Sequence, residues 1–213
     1  KIRIIVMKRI FGILSLLFIW LIGFQSCDSN KIVESINGIQ KDFVLAAIDR
    51  TKKDIEYNPA YFSIEYPNGD IPEMYGVCTD VVIRSYRKIN IDLQKLIHED
   101  IVAKYNDYPL KNNWNQNNAD SNIDHRRVPN LEVFFSKYGE SLSISNDPND
   151  YHPGDIVTWD LSGSSPWHIG IVSNKISSTS NNPLIIHNIG SGPVESDMIF
   201  AYPIRGHYRY LPE

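Results

Sequence analysis

Pro153-Gly154-Asp155-Ile156-Val157-Thr158-Trp159 is where the chain changes character. Ahead of it, apolar residues recur at helical spacing; after it, they come in short runs divided by turn residues. The Pro-Gly pair marks a turn, and Ile156 to Trp159 reads as the first strand. Trp167 to Ser173 and Leu184 to Ile189 read as the next two, joined through the polar tip Ser177 to Asn182. Residues 198 to 204 and 206 to 210 are expected to add one or two more. Working back from Pro153, residues 38 to 53 carry a helical stripe of Phe43, Val44, Ala47 and Ile48. Cys78 to Asn90 carries Val82, Tyr86 and Ile89, with Asn90 as its stop. Residues 92 to 104 carry Leu93, Leu96, Ile97 and Ile101, and residues 130 to 138 carry Leu131, Phe134 and Phe135. Helices first and hairpin-connected strands later specify an α+β fold with a mainly antiparallel sheet.

Two connections stand out. Residues 57 to 76 are rich in Tyr, Pro, Gly and Asp, and Tyr57, Tyr61, Phe62 and Tyr66 either line a cleft or pack the loop down. Residues 105 to 122 are polar and Asn-rich, and read as a long surface excursion.

The first residues read as an export leader. Lys1, Arg3, Lys8 and Arg9 precede an almost wholly apolar stretch from 10 to 24, with Met7 a natural start for that pattern. The stretch is too short to read as a membrane span. Phe24-Gln25-Ser26-Cys27 looks like a bacterial lipobox, with Phe where Leu is commoner. The domain reading is therefore a lipoprotein signal over 1–27, a tether over 28–36 and one folded domain over 37–213. Lipidation at Cys27 supplies more than one acyl chain and so a stable anchor. It places the domain in the bacterial cell envelope, facing the periplasm or the exterior. Losing the four leader cations leaves 17 basic against 25 acidic side chains, a net −8. That balance argues against nucleic acid as a partner. Nothing in the sequence calls for a cofactor or an oligomer, and a monomer is expected.

Cys78 is then an unpaired thiol in an exported protein, where disulfides are permitted. Its place at a predicted helix start offers a way to lower its pKa, since that terminus carries partial positive charge. His168 opens the apolar strand His168-Ile169-Gly170-Ile171-Val172, and His187 closes Leu184-Ile185-Ile186-His187. If these strands are antiparallel neighbours, the two imidazoles meet, one as base and one orienting it. Each residue alone also has a packing explanation, and a Cys27–Cys78 disulfide is the structural alternative. A zinc set of His125, His168, His187 and an Asp is the chemical rival, although no His-Glu-x-x-His or paired-Cys motif supports it. In Asp124-His125-Arg126-Arg127 the arginines suit a peptide carboxylate and His125 suits a third catalytic position. The plainer reading is an ion-paired cluster that fixes the long loop to the body. Asp155 reads as a turn and strand-start residue.

Gly76-Val77-Cys78-Thr79-Asp80-Val81-Val82, Pro153 to Val157, His168 to Val172 and Ile186-His187 resemble, in this order, the nucleophile helix, first core strand, histidine strand and third polar position of NlpC/p60-type papain-like peptidases. Most of the mature chain resembles the bacterial family catalogued as domain-of-unknown-function family 1287. The marks are Tyr66-Pro67-Asn68-Gly69-Asp70, Gly76 to Asp80, Ile123-Asp124-His125-Arg126-Arg127, Gly154 to Trp159 and His187-Asn188-Ile189-Gly190. The resemblance implies a papain-like fold and an amide of peptidoglycan, or a related peptide, as substrate. It implies Cys78 as nucleophile, His168 as base and His187 as orienting residue, with no metal. Tyr66, Tyr75, Asp80, Asp124, His125, Arg126, Trp159 and Asn188 are the substrate-binding candidates. This sequence has Val77-Cys78-Thr79-Asp80 where those peptidases have Asp-Cys-Ser-Gly, and no clear Tyr-Gly-Gly element precedes the cysteine. A catalytically silent wall-binding lipoprotein and a lipid-directed thiol hydrolase or acyltransferase of similar fold stand as alternatives.

Overall fold

A computed structural model describes residues 31–32, 36–162 and 167–211. The leader, the lipobox and Cys27 lie outside these residues. In chain order the elements begin with β1 (Lys31–Ile32), α1 (Gly38–Arg50), β2 (Glu56–Tyr57), β3 (Tyr75–Gly76), α2 (Cys78–Lys88) and α3 (Leu93–Ala103). Then come α4 (Leu110–Trp114), α5 (Val128–Tyr138) and β4 (Glu140–Ser141). The strands β5 (Ile156–Asp160), β6 (Trp167–Ile176), β7 (Pro183–His187), β8 (Val194–Ser196) and β9 (Ile204–Arg209) complete the chain. The fold is α+β. The main sheet runs β4-β9-β5-β6-β7-β8 with antiparallel pairings, and β1 pairs with the far end of β6. Within the stretch read as a tether, Lys31–Ile32 thus form a strand and Ile36 is buried.

Alternation along the strands divides the interior into two layers. Ile156, Ile169, Ile171, Ile186 and Tyr208 face the helices and join Phe43, Val82, Tyr86, Leu131 and Phe135 in one cluster. Val157, Trp159, Val172 and Ile185 face the other way and pack with Tyr151, Met198 and Ile199. Helix α2 lies in the thick of the first layer, with every residue from Cys78 to Tyr86 buried. The polar residues between Thr79 and Tyr86 have partners. Ser85 donates to the Val81 carbonyl at 2.6 Å, and the Tyr86 hydroxyl donates to the Tyr210 carbonyl at 2.8 Å. Arg84 pairs with Asp70 at 3.0 Å and donates to the Ile71 and Tyr75 carbonyls at 3.1 and 2.9 Å, which pins the loop leading to Cys78. The helix closes through Asn90 at φ +62°, a left-handed conformation that asparagine tolerates.

Two readings of the sequence are corrected here. Residues 105 to 122 are more than a surface excursion, because Tyr108 and Leu110 are buried in the main cluster and α4 forms between them and Trp114. The Tyr108 hydroxyl donates to Asp100 at 2.6 Å, so this polar segment is anchored to α3. Five residues are too few for helical periodicity to show. Residues 198 to 204 do not make a strand over their length. Met198 and Ile199 drop into the second layer at a turn closed by Ala201 N–H to the Met198 carbonyl at 2.9 Å, and β9 starts only at Ile204.

Asp155 does more than start a strand. It is fully buried and accepts four hydrogen bonds: from His152 N–H at 2.9 Å, from His207 Nε2 at 2.9 Å, and from Arg209 at 2.8 and 3.0 Å. Deleting one side of such a buried pairing costs about 3–5 kcal/mol. Asp155→Ala is expected to lower the unfolding free energy by about that amount, read from urea denaturation. A midpoint equal to the parent's contradicts this role.

Candidate active site

Cys78 is the first residue of α2, and Val77 before it is extended. Asp80, in the first turn, accepts the Val77 N–H at 2.7 Å and so satisfies an amide that the helix leaves open. The same carboxylate takes Arg126 at 3.0 Å through both Nε and a terminal nitrogen. Arg126 continues to the Ala60 and Asn58 carbonyls at 3.1 and 3.3 Å, and its own carbonyl accepts from the Thr79 hydroxyl at 3.1 Å. The cluster at 124–127 thus clamps α2 to the loop after β2.

Cys78 lies on a cleft of about 480 Å³ whose walls include Tyr57, Tyr61, Trp114, Arg127 and Trp167. It is a free thiol, 6% exposed. Burial pushes its pKa up to about 12; hydrogen bonding at the Ile169 peptide opposes this, and the charge of Asp80 adds to it. The expected lowering by the helix terminus is therefore outweighed: a few partial charges do not replace the hydration that a thiolate loses. The resting residue is a neutral thiol.

His168 and His187 meet. His168 Nε2 and His187 Nδ1 are 3.0 Å apart with the rings edge to face, and His187 Nε2 is 2.7 Å from Ser196 Oγ. Trp159, opposite His168 in the β5–β6 register, packs its ring against the imidazole at 5.9 Å between centroids. Burial keeps both rings neutral, lowering His168 to about 3, with His187 as a lesser cause, and His187 to about 4. His168 shares its sheet face with Val172, whereas Cys78 adjoins the peptide of Ile169, the residue that follows His168. Among the described residues no hydrogen bond joins the Cys78 sulfur to His168. Cys78 meets β6 at the Ile169 peptide, and His168 does not line the cleft.

The remaining candidates scatter. Arg126 lines the cleft, but its charge is met by Asp80. Asp124 is buried and binds Arg127, Gln116 and the Asp120 N–H. His125 is buried with Nδ1 unpartnered among the described residues, and it senses Arg126, Arg87 and His98 rather than the histidine pair. Asn188 donates to the Gly76 carbonyl at 3.2 Å, tying the end of β7 to the approach to Cys78. Trp159 is fully buried, its indole N–H given to the Ile199 carbonyl at 2.9 Å. Tyr66 is exposed beside His98 and Glu99, and Tyr75 stacks on Phe62; neither lines the cleft.

Sequence reasoning missed Trp114, Trp167 and Ser196, and it named Tyr57 only as one of the loop aromatics that either line a cleft or pack the loop down. Trp114 lies in the Asn-rich segment, and the Arg127 guanidinium sits 4.1 Å from its ring centroid. Trp167 meets Trp114 at 6.0 Å. Tyr57 has its hydroxyl pKa raised first by burial and next by Cys78, which puts it beside the thiol. Ser196 stands on a three-residue strand with no local signal at all.

Three buried histidines, His125 (about 3), His168 (about 3) and His187 (about 4), carry lowered pKa values. The unfolded chain binds their protons near pH 6.5 and the folded chain does not. Stability is therefore complete above the unfolded pKa and drains away as pH falls through the window below it. By pH 5 each such ring costs on the order of 2 kcal/mol. Urea midpoints at pH 7, 6 and 5 are expected to fall steadily, and His168→Gln is expected to flatten that slope; a pH-independent midpoint contradicts the burial.

A family model described as "Domain of unknown function (DUF1287)" matches residues 44–210. The uncharacterized protein YijF of Escherichia coli strain K12 is 43% identical over 209 residues, covering 96% of this chain and 99% of that one. Two crystal structures of an N-acetylmuramoyl-L-alanine amidase from Bacteroides uniformis ATCC 8492 share 15% identity, over 81% of this chain and 99% of theirs, with TM-scores of 0.46 and 0.44. With its helices, its antiparallel sheet and nearly all of the site residues inside the matched span, the chain belongs to the family of domain of unknown function DUF1287.

Proposed function

We propose that this protein is a lipid-anchored extracytoplasmic cysteine hydrolase of papain-like, NlpC/p60 type, cleaving an amide bond in peptidoglycan stem peptides. The observation that carries the reading is Cys78 at the head of a buried helix, on an aromatic-walled cleft and against the peptide of Ile169, the residue that follows His168 of the buried His168–His187 pair. The lipobox at Cys27 supplies the location, and the motif order Cys78, His168, His187 supplies the peptidase type.

In this reading a substrate amide lies in the cleft with its carbonyl over Cys78. His168 Nε2 is engaged by His187, so Nδ1 is the nitrogen that takes the thiol proton as the sulfur attacks. The cycle requires the thiol and Nδ1 to meet at the start of β6, a contact that substrate has to induce. The Cys78 peptide N–H, at the helix head, serves the oxyanion, with the Tyr57 hydroxyl as the nearby side-chain donor. The imidazolium then protonates the leaving amine. Water, losing its proton to His168, attacks the thioester and returns the thiol.

A second reading draws on the buried neutral thiol that lacks a bond to His168: a wall-binding lipoprotein without turnover. Digestion of purified muropeptides by the full chain, followed by mass spectrometry, separates the two. Cleavage that disappears in Cys78→Ala and on iodoacetamide treatment, and that persists with chelator, is expected. Identical products from the parent and Cys78→Ala sink the nucleophile assignment, and binding without cleavage by both favours the second reading.

A further inference from the structure

The two arginines of the cleft are engaged differently. Arg126 gives its Nε and one terminal nitrogen to Asp80, and its terminal nitrogens also reach the Asn58 and Ala60 carbonyls. Arg127 uses Nη1 alone, on Asp124 at 3.2 Å and on the Gln116 side-chain carbonyl. Its guanidinium lies over the Trp114 ring, 4.1 Å from the centroid, a cation–π contact that leaves the remaining N–H groups free for oxygen acceptors. Among the described residues Nε and Nη2 of Arg127 have no recorded partner, and neither is a buried orphan sealed from solvent. The open edge is the same one with which Arg126 holds a carboxylate.

The surroundings favour an anion at that edge. Among the described residues the cleft is walled by aromatic and apolar side chains and two arginines, with no carboxylate, although the whole chain has 25 acidic against 21 basic side chains. Asp124 is 1% exposed and does not line the cleft. Asp120, the other carboxylate that acts on Arg127, accepts from the Tyr61 hydroxyl at 3.2 Å and from the Asn122 N–H at 2.9 Å, and it does not line the cleft either. Asp124, Gln116 and Trp114 together hold the guanidinium, so little conformational freedom is left to lose when a ligand arrives.

We infer that Arg127 is a specificity-determining residue, whose Nε–Nη2 edge binds a carboxylate of the peptide that lays its amide over Cys78. The inference rests on the hydrolase reading and deepens it: the substrate class becomes a peptide with a free carboxylate held in the same cleft as the bond that is cut. A carboxylate fits the fork with two parallel N–H···O bonds, and aromatic walls that keep water away strengthen them. The carboxylate of a peptide C-terminus and that of an internal acidic residue present the same planar group.

The test is binding, which does not need turnover. The full chain carrying Cys78→Ala is titrated calorimetrically with a synthetic stem peptide in three forms: all carboxylates free, the C-terminal one amidated, and the internal ones amidated. Amidation at one of the two places is expected to weaken binding about tenfold or more, the factor carried by hydrogen bonds to a charged group, and identifies which carboxylate is read. Adding Arg127→Gln is expected to remove that difference while leaving the affinity for the amidated form at its value before the change. Arg127→Lys, which keeps the charge without the fork, is expected to recover only part of the difference. Equal affinity for all three forms, no binding of any form, or an Arg127→Gln loss shared equally by every form overturns the inference; the last outcome marks a merely structural arginine. If Arg127→Gln does not fold, Arg127→Lys decides, and undiminished discrimination there overturns the role of the fork. Discrimination by Cys78→Ala without any cleavage by the parent counts against the hydrolase alone and supports the carboxylate site.

Discussion

The Asp80 carboxylate is the interaction on which the cleft depends. One oxygen closes the open end of α2 through the Val77 N–H, and both oxygens take the Arg126 guanidinium. Arg126 in turn grips the Asn58 and Ala60 carbonyls, so the loop bearing Tyr57, Pro59 and Tyr61 is set against Cys78. Both charges are almost fully buried. A buried pair of this kind adds little net stability, but removing either partner costs about 3–5 kcal/mol, so the arrangement tolerates no partial loss. It acts as a rigid spacer, holding one wall of the cleft at a fixed distance from the thiol.

The same burial sets the resting chemistry. A thiol pushed up to about 12 and imidazoles held at about 3 and 4 are all neutral at ordinary pH. Each charge is penalised separately by loss of water, whereas a thiolate and an imidazolium formed together offset one another at short range. In the proposed hydrolase the pair would therefore have to be created in one step, at contact. Such a hydrolase would then be silent toward solvent and active only when a substrate brings the sulfur and His168 together.

Much of this architecture is legible in the sequence. The change of period at Pro153 to Trp159 gives the α+β order, and the stripes on α1, α3 and α5 are evident from spacing alone. What escapes is non-local. Helix α2 is buried nearly all round, so Asp80, Arg84 and Ser85 occupy positions that a surface helix leaves to solvent, and only the partners Arg126 and Asp70 make sense of them. The Asn-rich segment hides Tyr108, Leu110 and Trp114 because their burial comes from docking and not from pattern. Asp155 looks like a turn residue until His207 and Arg209, more than fifty residues on, come to rest beside it.

The meeting of His168 and His187 shows how a register and a glycine together build the site. Strands β6 and β7 pair Ile171 with Ile186 and Val172 with Ile185. Continuing that register sets His187 opposite Gly170, which leaves His168 as a diagonal neighbour, normally about 7–8 Å away. A Cβ at position 170 would stand 2.6 Å from Ile185 Cγ2 and 3.2 Å from His187 Cβ. Only glycine leaves that space, and across it the imidazoles close to 3.0 Å. In His168-Ile169-Gly170 the glycine therefore matters to the imidazole pair as much as the histidine does: a side chain there would press on Ile185, on the Ile186 carbonyl at 3.1 Å and on His187 itself.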